Sequence, residues 1–184
     1  MIRCLLLIGF LAALVSCSTP GGMATSGSAR GYVVDFLVEG GGMQYFVKPM
    51  PFEDDALDVE LELDITFRIA AAKSDSATLN FTIVGEQAPK TIDSICIEAN
   101  SACQRPDRVR TMFVERHDDD LHARYTSMLS QQRLFSLMTD PAWTFRVWSG
   151  QRTYAFEAST RARKAIATTY SGIVEPSLSA SPTP

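Results

Sequence analysis

Histidine is scarce in this chain, with two in 184 residues, and both lie in the single stretch "HDDDLH" at 117–122. That scarcity leaves little material for histidine-based catalysis. There is no Gly-x-Ser-x-Gly elbow, no His-Glu-x-x-His pair and no phosphate-binding glycine loop, so the common hydrolase, zincin and nucleotide-binding signatures are missing. Positive charge is also short: 17 Lys+Arg stand against 21 Asp+Glu. A mildly acidic chain is a poor candidate for nucleic-acid binding, and no nucleic-acid partner is expected. Long apolar runs are lacking too. The longest, Leu5 to Val15, is eleven residues, about half of the roughly 20 that a spanning helix needs.

That short run has a different character. It comes after a positive start at Arg3 and ends in small residues, which describes an export signal. Its last four residues, Leu14-Val15-Ser16-Cys17, resemble a bacterial lipobox. The resemblance covers residues 1–17 only and identifies no family for residues 18–184. It implies cleavage before Cys17 and acylation of that cysteine, with two or more acyl chains holding the protein to a bilayer. Ser18, where inner-membrane lipoproteins carry aspartate, points to the outer rather than the inner membrane of a bacterial envelope. Cleavage would leave 168 of the 184 residues and remove Arg3, giving 16 Lys+Arg against 21 Asp+Glu, a net charge of −5.

Of the four cysteines, Cys4 would leave with the signal and Cys17 would carry lipid. Cys96 and Cys103 remain, and in an oxidising compartment they most simply form a disulfide. Closing an eight-residue loop would stabilise the fold by about 2.5 kcal/mol. Metal binding is the alternative, although six residues separate the thiols and no histidine is near.

The organisation expected is a signal at 1–16, a lipidated cysteine and flexible Gly/Ser/Thr/Pro tether at 17–30, one domain at 31–174, and a disordered tail at 175–184. Within the domain the pattern is mainly β. Val59, Leu61, Leu63, Ile65, Phe67 and Ile69 alternate with polar residues, which predicts a long strand with one buried face. "SATLNFTIVG" repeats the alternation after a loop "AAKSDS". "YVVDFLV" and "MQYFVK" flank "EGGG" as a hairpin, with Pro49 and Pro51 expected to end it. "IDSICIE" and "RVRTMFVE" are weaker strands. A last hairpin, with Ser149 and Gly150 as turn residues, would set Phe145 opposite Tyr154 and Trp143 opposite Phe156. Trp148 would fall on its polar face beside the tip.

Two helices are expected: Asp118 to about Met138, on the spacing of Leu121, Tyr125, Met128, Leu129, Phe135 and Met138, and Thr160 to about Ser171. The fold class is therefore α+β, mainly antiparallel β-sheet, either a sandwich or a curved half-barrel, with two helices in the C-terminal half.

Candidate chemistry is thin. In "HDDDLH", Asp118 would cap a helix and Asp119 and Asp120 would favour its positive end. His117 and His122, five apart, would not share a helix face, so no metal site is assigned there, no cofactor is implied and no catalytic residue is named. Glu60, Glu62 and Asp64 read as the solvated side of a strand. Arg161, Arg163 and Lys164 oppose the dipole at a helix start. With Arg152 and Trp148 they form a candidate partner surface. The sequence favours a non-catalytic envelope lipoprotein that binds a protein, glycan or lipid partner. A tethered hydrolase or metal-dependent enzyme using carboxylates and His117/His122 is the alternative.

Overall fold

The structure, a computed structural model, describes residues 31–38, 42–54, 56–69 and 76–179. The signal, Cys17, the tether, most of the "EGGG" and "AAKSDS" loops and residues 180–184 lie outside the described residues. Ten strands and two helices among the described residues make an α+β fold dominated by one antiparallel sheet. The strands are β1 (Val33–Val38), β2 (Gly42–Asp54), β3 (Val59–Ile69), β4 (Ser76–Gly85), β5 (Ser94–Ala99), β6 (Ala102–Gln104), β7 (Arg110–His117), β8 (Asp120–Ser130), β9 (Thr144–Ser149) and β10 (Arg152–Ala158). They pair in the order β6-β5-β9-β10-β2-β3-β4-β8-β7, with β1 on β2.

Alternation dictates which face is buried. On β3, Val59, Leu61, Leu63, Ile65 and Phe67 point into the core; on β4, Ala77, Leu79, Phe81 and Ile83 do so. The sheet is curled and open. Phe81 on β4 and Phe145 on β9 lie four strands apart, a distance of roughly 19 Å across a flat sheet. Their ring centroids are 5.0 Å apart. Likewise the two ends of the sheet, β6 and β7, are joined through Arg105–Val109 alone. Within the curve sit α1 (Gln131–Met138), against β4, β5 and β8, and α2 (Thr160–Thr169), against β2 and β10. Ser130 and Ser159 cap them, accepting from the backbone N–H of Arg133 and Ala162.

Five expectations are corrected. The first helix is only its last eight residues, because Asp118 starts no helix: the segment from Asp120 is β8, and Asp118–Asp119 are the turn of a β7–β8 hairpin. Leu121, Tyr125 and Leu129 are spaced by four, which satisfies a period of two as well as one of 3.6, and strand pairing with β4 along all ten residues from Leu121 to Ser130 decides the matter. Asp118 takes φ 53° there, a left-handed conformation that aspartate tolerates better than most residues.

Second, the β9–β10 turn is Gly150-Gln151 rather than Ser149-Gly150. Phe145 therefore faces Phe156, and Tyr154 faces Val147. Gly150, at φ 58°, occupies the first central position, the glycine site of a type II′ turn. Because the slip moves each partner by two residues, every side chain keeps its expected face: Trp143, Phe145, Val147, Tyr154 and Phe156 are all buried.

Third, Pro49 and Pro51 do not end β2. The register shifts between Val47 and Met50, and the strand continues to Asp54. A bulge tolerates residues that cannot donate to the ladder, and it is here that β2 changes neighbour, from β1 to β10.

Fourth, residues 175–179 continue the second helix instead of opening a tail. A π-helical turn at Tyr170–Val174 leads into five helical residues, Glu175–Ser179. Pro176 would clash with the carbonyl four residues back in a regular helix, and the wider turn precedes it. The fifth correction lies in the partner surface, whose cations fall into two groups.

Candidate functional site

The disulfide is the best defined of the expected features. Ala99 pairs with Ala102 across Asn100 and Ser101, at φ 50° and 61°, which is what a tight hairpin with two left-handed residues requires. That register puts Cys96 and Cys103 diagonally on one face with Cα atoms 5.7 Å apart, and they are bonded. Cys96 is fully buried and Cys103 is exposed.

Around this hairpin the outer face of the sheet gathers polar and aromatic groups. The Arg146 Nε donates to Glu98 Oε1 at 2.8 Å. The Arg105 guanidinium lies 5.6 Å from the centroid of Trp148, a cation–π contact of about 0.5–1 kcal/mol at such a site. Arg152 is not on this face: it alternates with the buried Tyr154 and Phe156 and sits across from Ser149, so it lies on the side opposite Trp148, where it reaches Gln87 Oε1 at 3.4 Å. Arg161, Arg163 and Lys164 do not join them. They come after the far end of β10, roughly 20 Å from Arg152 at ~3.3 Å per residue. Arg163 Nε donates to the Ala158 carbonyl at 2.9 Å, which spends part of its charge on its own helix start. The candidate surface is thus divided among three places, with Trp148 on the outer face of the sheet, Arg152 on its other face and the remaining cations on α2, and Arg105 supplies the cation beside Trp148. Sequence reasoning missed Arg105 because it meets Trp148 only through the β6-β5-β9 order.

The "HDDDLH" stretch is rearranged by the hairpin. Glu115 faces His122, and His117 faces Asp120, so both histidines share a face. Their rings meet edge to face at 4.9 Å, and His117 Nε2 is 3.5 Å from Glu115 Oε2. Among the described residues, no three His, Cys, Asp or Glu side chains converge as a metal site.

On β3 the outward carboxylates have two fates. Asp64 accepts from Arg124 Nη2 at 2.5 Å and from Asn80 Nδ2 at 2.9 Å, and Arg124 also donates to Thr82. Glu60 and Glu62 are exposed. Glu60 faces Glu53, which faces Glu157 on its other side, an exposed row of three carboxylates whose mutual repulsion opposes pairing.

Inside the curve, Tyr125 and Tyr154 donate their hydroxyls to the Pro89 and Gln87 carbonyls, the latter at 2.9 Å. They pin the link between β4 and β5 over the core. Burial, with a smaller contribution from Tyr154, pushes the Tyr125 hydroxyl up to about 12. Burial and then the Asp35 charge raise that of Tyr45. Such hydroxyls stay protonated and act as hydrogen-bond donors at neutral pH.

None of the described helices is long and apolar enough to cross a membrane. No protein-family model, curated protein or solved structure matches this chain.

Proposed function

We propose that this chain is an exported lipoprotein, anchored to the outer membrane of a bacterial envelope through Cys17, whose β domain is a non-catalytic module for binding an envelope protein, glycan or lipid. The observation that carries the reading is the Cys96–Cys103 disulfide. Such a bond persists in an oxidising compartment and not in the cytosol, which agrees with the address that Leu14–Cys17 spells. The surface beside that disulfide supports a binding role: the Trp148 ring, with the Arg105 guanidinium over it and Arg146 two residues away on the same strand face, presents an aromatic ring between cations. Aromatic and arginine side chains are the residues most often responsible for recognition energy.

The test is expression of the full chain in a bacterium supplied with labelled palmitate. Wild type is expected to carry label and sediment with membranes, and Cys17→Ala to lose both. Label retained in Cys17→Ala, or absent from wild type, would refute the anchor.

A further inference from the structure

We infer that β7 is a self-association edge, pairing antiparallel with β7 of a second copy of this chain to continue the sheet across a two-fold axis. All eight residues of β7 are exposed, and Met112, Phe113 and Val114 are 55%, 41% and 37% accessible. Unpaired edges of this length and character are normally blunted or covered.

The occupant is set by the order of residues. "RTMFVE", Arg110 to Glu115, is complementary to itself when reversed. With the axis between Met112 and Phe113, Arg110 meets Glu115 twice, Thr111 meets Val114 twice, and Met112 meets Phe113 twice. Opposite charges and apolar side chains directly across a ladder are favourable pairs.

Facing residues must also lie on the same face of the joined sheet, and the bulge of β7 arranges this. In a regular strand Arg110 and Glu115, five apart, would point to opposite faces. Here the register on β8 shifts between Thr111 and Phe113, so that Arg110 pairs with Thr126 and Glu115 with His122. Those two β8 partners are four apart and share a face. Thr111 and Val114, opposite Tyr125 and Ala123, share the other. Bulges more often discourage edge pairing, whereas this one brings the charged pair onto one surface.

A pair of such short strands buries less than the ~1,200 Å² of a standard interface, so the association is weak, and anchoring both copies to one membrane would raise their effective concentration.

The experiment is sedimentation of the detergent-solubilised full chain, loaded up to about 200 µM to reach weak affinities, beside Arg110→Glu, Glu115→Arg and the double reversal. Wild type is expected to dimerise with rising concentration. Each single reversal, which sets like charges opposite each other, should weaken dimerisation by about tenfold or more. The double reversal should restore it, with unchanged circular dichroism reporting the fold of each variant. A wild type that stays monomeric, single reversals without effect, or a double reversal that fails to rescue would each overturn the inference. Loss of a different co-purifying polypeptide in the single reversals, with wild type monomeric, would overturn it in favour of a foreign strand.

Discussion

The two ends of the sheet are built in opposite ways, although Arg105–Val109 is all that separates them in sequence. At one end β6 is three residues long and is bonded to β5 through Cys96 and Cys103. At the other, β7 runs for eight exposed residues with an apolar middle. A short, cross-linked edge offers little backbone to another strand, and a long free one offers a template. The difference shows that edge protection belongs to each edge separately: one hydrophobic core stabilises both ends, but it covers the backbone of neither.

The two ends share one core, and damage to it should reach both. Phe145 is fully buried and packs on Phe81 and Phe52. Phe145→Ala is expected to cost about 3–5 kcal/mol in denaturant unfolding. Amide exchange should then quicken at both ends of the sheet, and quickening at one end alone would show that they fold as separate units.

Removing the disulfide sharpens the contrast. The double variant Cys96→Ala/Cys103→Ala should lose about 2.5 kcal/mol, measured in the same way. Faster exchange is expected in Ser94–Gln104 and not in Arg110–His117. Equal change at both ends would mean that the bond acts on the whole fold and not on its own edge.

A smaller effect concerns the strap between β4 and β5. The Tyr125 hydroxyl is raised from 10.0 to about 12, so in that interval the folded protein holds a proton that the unfolded chain releases. Its contribution is fully present below pH 10 and is lost as pH rises through about 12. Unfolding free energy measured from neutral pH to pH 11 should therefore begin to fall near pH 10, and Tyr125→Phe should flatten that fall. An equally steep fall in the variant would assign the effect to other groups such as Tyr45.

How much of the fold is legible in the sequence varies with the element. The strict alternation of β3 survives in the structure from Val59 to Phe67, with Ile69 only partly buried at the strand's end, because a strand with one buried face leaves no other pattern. In β8 the apolar spacing of four suits helix and strand alike, and the HDDD stretch looks equally like a cap and a turn. The face of each β9–β10 side chain is legible although the register is not, since a slip of two preserves faces. The candidate surface is legible only where it is local. Trp148 and Arg152 lie near one turn but on opposite faces, and strand order brings Arg105 to Trp148 and, elsewhere, sets Glu157, Glu53 and Glu60 in a row.

Periodic and covalent features were fixed by local sequence: the buried faces of β3, β4 and the β9–β10 hairpin, the start of the second helix after Ser159, and the pair of cysteines close enough to bond. Those properties depend on spacing within a few residues, which backbone geometry reads directly. Strand order decided that β2 would exchange β1 for β10 at its bulge, that Phe81 would touch Phe145 through the curl, and that β7 would be the end strand of the sheet among the described residues. Each of these depends on which distant strands share a ladder, and that choice is made by burial summed over the whole sheet rather than by any one segment.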